Sequence, residues 1–574
     1  MMTDIHEPLN EYIKIYKDKF KQVAEETFAS LASEAGVNVE ENRKTCKKLY
    51  ESQNVLENSQ SNRSMLILFA VLFWIGVAVG VFLMSQMQPL TTEFYTAASA
   101  IAVMLIFLLA LLHPKIRKLK KLGESLEGEI AVLKEQAWAH MKTLNSLYDW
   151  DILARMMSKT IPRLEFDPYF TVQRLEDLKM TYGWDDSFND GRSVIYSHSG
   201  LINGNPFVLC RTREMVMGSK TYYGYKTIHW TESQKGSDGN YHTVTRSQTL
   251  CASHTAPFPE YNEKTILIYA NTASPDLVFH RKQSDLAGRE RSCAFRRKVR
   301  KLKRKARNLT DGDFAMLTNE VFEAAFDTSD RNNNQQFSLL FTPLAQESML
   351  ALLRDRTVGY GDDFDFIKTR MINAIISDHM QYLELDMNPS RYIHFDFDKA
   401  KENFTDLNTN YFRAIYFSFA PLLCVPMYQQ IRPHHDIYGH DMQRSSSFWE
   451  HEALANFWGQ DKFKHPSCVT DCILKTKHRE GIKDSSVTVY AHGYRTESRV
   501  LNVSVHGRDG HVHNVPVYWD EYLPVIGTGI ICMTEDNVTD DSSITHSARL
   551  DRINSILNTS GMDVYRRHIA SRII

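Results

Sequence analysis

Two apolar runs interrupt an otherwise mixed chain. Residues 65–84 read MLILFAVLFWIGVAVGVFLM, twenty positions without a charge. At about 1.5 Å per helical residue such a run spans a hydrocarbon core of about 30 Å. Residues 97–112 (AASAIAVMLIFLLALL) form a second run, lengthened at the interface by Phe94, Tyr95 and Thr96. Pro89 lies in the short connection, so the pattern predicts an antiparallel transmembrane hairpin with spans near residues 65–84 and 94–112. A secretory leader would put its apolar core first, whereas about sixty mostly polar residues precede this one. Arg43, Lys44, Lys47, Lys48 and Arg63 flank the hairpin upstream; Lys115, Arg117, Lys118, Lys120 and Lys121 flank it downstream. The connection carries no Lys or Arg, and both termini are therefore expected in the cytoplasm. Gly76 and Gly80, with Ala98 and Ala102, allow close backbone approach, either between the two spans or in a homo-oligomer.

Helical spacing continues on both sides. Leu9, Tyr12, Tyr16, Phe20, Val23, Phe28 and Leu31 recur upstream, and Gly36 supplies a stop. Beyond the second span, Ile116, Leu119, Leu126, Ile130, Leu133, Ala137, Met141 and Leu144 approach a heptad seam. This predicts a helical stalk packed on the N-terminal helices, with a coiled-coil oligomer as the alternative. After about Phe166 the texture turns to β. Residues 223–231 and 241–250 flank the turn-rich SQKGSDGN, and residues 265–269 and 276–279 extend the sheet. Helical patterns return at residues 314–326, capped by Asp311, and at 346–354. Alternation resumes at 487–490, 500–506 and 511–519, the last two joined by Arg508-Asp509-Gly510. Residues 414–428 are apolar but carry Pro421 and Pro426, which suits a buried core element better than a third span.

The expected fold class is α+β: a two-helix transmembrane hairpin with a helical stalk, then a large cytosolic region of antiparallel sheet plus helices. The expected divisions are residues 1–63 (N-terminal cytosolic helices), 64–112 (the hairpin), 113–160 (juxtamembrane stalk), 161–430 (cytosolic α+β domain) and 431–574 (C-terminal β-rich domain or extension).

Within this frame PFPEY (257–261), LIYANTASPDLVF (267–279) and FEAAFDTSDRNNNQQFSLLFTP (322–343) carry a resemblance. Residues 65–430 resemble the uncharacterised two-span membrane proteins of mycoplasmas and related low-GC bacteria, which bear a domain of unknown function. Phe322, Glu323, Phe326 and Asp330 match that domain's Phe-rich element, and Leu340, Thr342 and Pro343 its following turn, with Phe341 inserted. The resemblance implies a bacterial plasma membrane and a fold; it carries over no catalytic residue. WEHEALANF (449–457) lies outside it.

Charge changes the picture in one place. The chain of 574 residues has 67 Lys and Arg against 69 Asp and Glu, so nucleic acid is not an expected partner. Residues 289–307, however, hold eleven basic residues and one acid, Glu290. Phe295, Val299, Leu302, Ala306 and Leu309 mark one helical face there, and Arg296, Arg297, Lys298, Arg300, Lys301, Lys303, Arg304 and Lys305 form the candidate site. A basic amphipathic helix suits an anionic lipid surface, an acidic protein partner or RNA, or it is a solvated face docked on the sheet.

Candidate metal chemistry is weaker. His465, Cys468, Cys472 and His478 have ligand types suited to zinc, but the spacing departs from C-x2-C. His434, His435, His440 and His451 cluster with Asp436, Glu450 and Glu452, yet Glu450-His451-Glu452 is not HExxH. Asp363/Asp365 and Asp396/Asp398 are D-x-D pairs that suit Mg²⁺ on a strand, or a solvated strand face. No P-loop, nucleophile elbow or dinucleotide fingerprint occurs. The expectation is a membrane-anchored binding or scaffold protein with no required cofactor; a metal-dependent enzyme, with zinc at the His/Cys set, is the alternative.

The topology has a direct test. A cysteine introduced as Gln88→Cys is expected to react with an impermeant maleimide in intact cells, and Ser543→Cys is not. Labelling at 543 would favour a third span near Pro421.

Overall fold

The computed structural model describes residues 5–85, 92–235, 240–307, 314–383, 387–431, 445–479, 485–536 and 544–574. Helix α1 (Lys17–Ala35) ends at Gly36, whose φ of 61° closes a left-handed cap. Helix α2 (Val39–Ser85) runs 47 residues, and α3 (Thr92–Phe107) returns through a π turn, Leu108–Leu112, into α4 (His113–Ser146). Both helices are long and apolar enough to cross a membrane, and Leu68, Phe82, Ile106 and Leu109 project from them exposed. Val77, Leu108 and Leu112 bury a seam between them, and a Cβ added at Gly80 would lie 3.1 Å from Ile101. The glycine pair thus serves the hairpin itself. Below the spans α2 and α4 form the stalk, Gly123 facing Leu56 and Gln60 bonding Glu127 at 3.5 Å.

The head begins with α5 (Ile152–Thr160), β1 (Leu164–Phe166), α6 (Val172–Met180) and β2 (Arg192–Ile202). Two very long strands follow, β3 (Asn205–Lys235) and β4 (Tyr241–Ala270), paired from Phe207↔Tyr269 to Lys235↔Tyr241. Then come β5 (Val278–Arg281), α7 (Cys293–Arg307), α8 (Glu320–Phe326), α9 (Asn334–Leu340) and α10 (Pro343–Arg354). Strands β6 (Phe364–Thr369) and β7 (Ile372–Ser377) complete an antiparallel seven-stranded sheet, order β1-β2-β3-β4-β7-β6-β5. The Phe-rich motif builds the core under it: Phe322 stacks on Phe326 at 5.0 Å, Phe326 meets Phe341 at 4.9 Å, and Glu323 takes Arg331 in a buried bidentate pair at 2.7 and 3.0 Å.

Helix α11 (Phe397–Leu423) crosses the core with seventeen buried residues. Its Phe412 ring lies parallel to Phe20 of α1, centroids 4.1 Å apart, and Phe419 packs on Phe207 of the sheet. Residues 414–425 are all buried in the head, as befits a core element rather than a third span. For the same reason the N-terminal helices are not a separate unit ending at residue 63. Phe20, Ala24, Phe28 and Leu31 belong to the head's core.

Helix α12 (Phe448–Trp458) lies between this sheet and a second one made of β8 (Ile473–His478), β9 (Ser485–His506), β10 (Val512–Glu535), β11 (Val564–Arg566) and β12 (Ile569–Ile573), with α13 (His546–Ser560) beside it. The order is β11-β12-β10-β9-β8. Trp449 and Ala453 pack on the first sheet, Leu454 and Ala455 on the second, so the division expected at residue 430 does not separate two cores. The outer reaches of the β3–β4 and β9–β10 ribbons cross each other around Ile228, Leu250, Val515 and Val517. At the crossing Gly224 is required, because a Cβ there would lie 2.1 Å from the Pro516 carbonyl oxygen. The helix expected from residue 314 starts instead at Glu320, where Asn319 accepts the Phe322 N–H at 3.1 Å; Asp311 is outside the described residues.

Candidate functional site

Helix α7 starts where Ser292 Oγ accepts the Phe295 N–H at 3.2 Å. Phe295 and Leu302 are buried against Phe314 and Ala324, which fixes the helix's rotation on the head. That rotation divides the eight candidate residues. Lys298 pairs with Asp327, Lys303 reaches Glu320 at 2.6 Å, and Lys305 donates to the Ser329 carbonyl at 2.6 Å. These three clamp the helix. Arg296, Arg297, Arg300, Lys301 and Arg304 are exposed and form an outward row. No acid on the helix interrupts the row, and its backbone is held by packing, so the charges are presented on a rigid platform.

The zinc set does not assemble. Cys468 Sγ lies 3.6 Å from Cys472 Sγ, but His465 turns to Ser467 Oγ at 2.7 Å and is exposed. His478 stands at the far end of β8; six strand residues place it about 20 Å from Cys472. Among the described residues no three His, Cys, Asp or Glu side chains form a metal-binding group. His434, His435, Asp436 and His440 fall outside those residues.

The other acidic and histidine candidates have structural employment. Asp363 accepts from His379 Nδ1 at 2.5 Å, and Asp365 accepts the Gln283 N–H at 2.9 Å. Asp396 caps α11, taking the Asp398 and Lys399 N–H groups at 3.0 and 3.3 Å, and also accepts Tyr50 OH at 2.7 Å. Asp398 takes Arg43 bidentately at 2.7 and 2.9 Å. This D-x-D pair joins the stalk to the head; it is not a cation site. Glu450 accepts the Phe170 N–H and Ser197 Oγ at 2.9 and 3.1 Å, while Glu452 holds Lys475 at 2.9 Å and the Val194 N–H at 3.1 Å. His451 Nε2 sits 3.0 Å from Ser446 Oγ. These polar residues tie α12 to both sheets, a role its chain position between two β regions conceals.

A further polar group, at the join of α5, α13 and the β11–β12 turn, gives no sign of itself in the sequence pattern. It comprises Asp149 with Arg155 at 2.5 Å, Asp536 with Tyr565 OH at 2.9 Å, and His568 with Asp151 at 3.3 Å. Members lie up to about 420 positions apart, so no local spacing announces them.

The chain matches no protein-family model, no curated protein and no solved structure.

The buried His451 sets a pH dependence. Burial first, then the charge of His478, pushes its pKa down to about 4, so the imidazole is neutral in the folded protein. The unfolded chain takes up that proton below about pH 6.5. Stability is therefore complete above 6.5 and falls as pH drops toward 4, by about 3 kcal/mol from this residue. His451→Gln is expected to flatten the fall, seen as urea midpoints at pH 7.5 and 4.5 that lie closer together than in the parent protein. An unchanged difference would remove His451 from the account.

Proposed function

We propose that this is a membrane-tethered binding protein whose cytosolic head docks on anionic lipid through the outward row of α7. The observation that carries the reading is the division of that helix: three lysines bonded inward, five cationic side chains exposed outward on a packed platform. Two helices long and apolar enough to span the bilayer keep the head close to the leaflet, so docking is an intramolecular step at high effective concentration. Near an anionic leaflet each Lys or Arg contributes about 1 kcal/mol before screening. The basic flanks of the hairpin support cytoplasmic termini, and the family resemblance supports a bacterial plasma membrane. An acidic protein that covers the same row would compete with lipid and release the head.

The exposed Cys293 at the start of α7 supplies a reporter once the other exposed thiol is removed as Cys251→Ser. The full chain, dye-labelled at Cys293, is reconstituted into vesicles containing headgroup-nitroxide lipid. Quenching is expected in phosphatidylglycerol, weak in phosphatidylcholine, and reversed by high salt. Changing Arg296, Arg297, Arg300, Lys301 and Arg304 together to Gln should abolish the difference. Equal quenching in both lipids, or none in either, would contradict lipid docking.

A further inference from the structure

The head holds a cavity of about 510 Å³ where the start of α5, β2, the start of α13 and the β11–β12 hairpin meet. That volume suits a small organic molecule. One wall is costly to build. Arg566 pairs with Ile569, so Arg567 and His568 are the whole turn between β11 and β12. A two-residue hairpin of this kind needs positive φ at both positions, and these residues have φ of 43° and 60°. Asn-Gly meets that demand without strain; an arginine and a histidine do not. Both are nevertheless there, only 3% and 5% exposed, and both line the cavity.

The balance of charge around the space favours an anion. Among its acids, Asp167 is already held by Arg174 at 2.7 and 2.9 Å and by Ser199 at 2.7 Å. Asp151 takes His568, and Glu34 accepts the Ser547 N–H at 3.2 Å. Arg567 donates to the Ser197 carbonyl, and the carboxylate of Glu450 is 3.5 Å away from it. Arg549, 8% exposed, faces the same space, and His198 lines it too, its buried Nε2 without a hydrogen-bond partner among the described residues. Burial together with Arg567 and Arg566 holds His198 well below the usual imidazole range. Trp150 and Phe166 add flat apolar wall.

We propose that this cavity binds a small organic anion, its oxyanion held by Arg567, Arg549 and His198 and its apolar body against Trp150. Phosphate and carboxylate share the required chemistry, since both accept several charge-assisted hydrogen bonds from guanidinium and imidazole. The site is separate from α7, so its fate is independent of lipid docking.

Calorimetric titration of the full chain in detergent tests the proposal, with phenyl phosphate, benzoate and inorganic phosphate as probes. Saturable binding of phenyl phosphate or benzoate is expected, and whichever binds tighter identifies the headgroup. The double change Arg567→Asn with His568→Gly gives the turn its preferred residues while removing both cavity side chains; it should weaken binding at least about ten-fold. His198→Gln, at a half-buried position outside the turn, is expected to weaken it in the same direction and decides the matter if the double variant fails to fold. No saturable binding of any probe up to about 10 mM, binding of inorganic phosphate alone, or parent-like affinity in the folded variants would overturn the proposal.

Discussion

Helix α11 buries seventeen of its residues in the head, and the way its two ends are used determines how the molecule is joined. At its start Asp396 has two tasks: it caps the helix's free N–H groups and accepts the Tyr50 hydroxyl from the stalk. Asn42 adds a second link, donating to the Phe395 carbonyl at 2.9 Å and accepting the Phe397 N–H at 3.0 Å. Toward its end Phe419 meets the seven-stranded sheet. Between the two, the Phe20–Phe412 stack brings α1 into the core. Removing such a ring costs about 3–5 kcal/mol in a packed interior. The stalk, the N-terminal helix and the sheet thus share one buried element, and a tilt of the membrane helices carries the head with it.

The head keeps several charges inside. Arg281 pairs with Asp362, Arg331 with Glu323, and Glu452 with Lys475, each carboxylate fully or almost fully buried. Desolvation consumes much of the attraction in such pairs, so their clearer effect is to penalise wrong arrangements that would leave a charge alone. The Glu450 carboxylate works similarly between α12, β2 and the β11–β12 turn. The two proposed sites sit on this frame in opposite manners. The α7 row is outside, where water solvates its charges; the Arg567–His568 turn is inside, where charge needs a partner.

What could be read from the sequence follows from locality. The pair of long apolar helices was legible because a charge-free run of spanning length is helical and long enough to cross a bilayer. The amphipathic face of α7 was legible for the same kind of reason, with Phe295 and Leu302 at helical spacing. Which of its cations turn inward was not, because Asp327 and Glu320 come from the next elements. Both long hairpins were seen only in pieces, since their mixed polar faces near the ribbon crossing hide the continuity of the strands. The acid-and-histidine helix α12 misled because it is covered on two sides by segments distant in sequence, whereas residues 414–428, whose prolines argued for a buried core element, form one. The His/Cys set failed because β8 is extended and carries His478 away from Cys472. The Arg567-His568 turn violates the residue preferences of its own geometry, so no turn signal marks the hairpin that forms there.

The coupling of stalk and head through α11 can be measured as a distance. Spin labels at Lys134→Cys on the stalk and at native Cys293 on α7, in the Cys251→Ser background, report it by electron–electron dipolar spectroscopy in reconstituted bilayers. One narrow distance distribution is expected, the same in neutral and anionic lipid, because the two elements belong to one packed body. A broad distribution, or one that changes with lipid, would mean that the head swings on the stalk and that α11 does not join them.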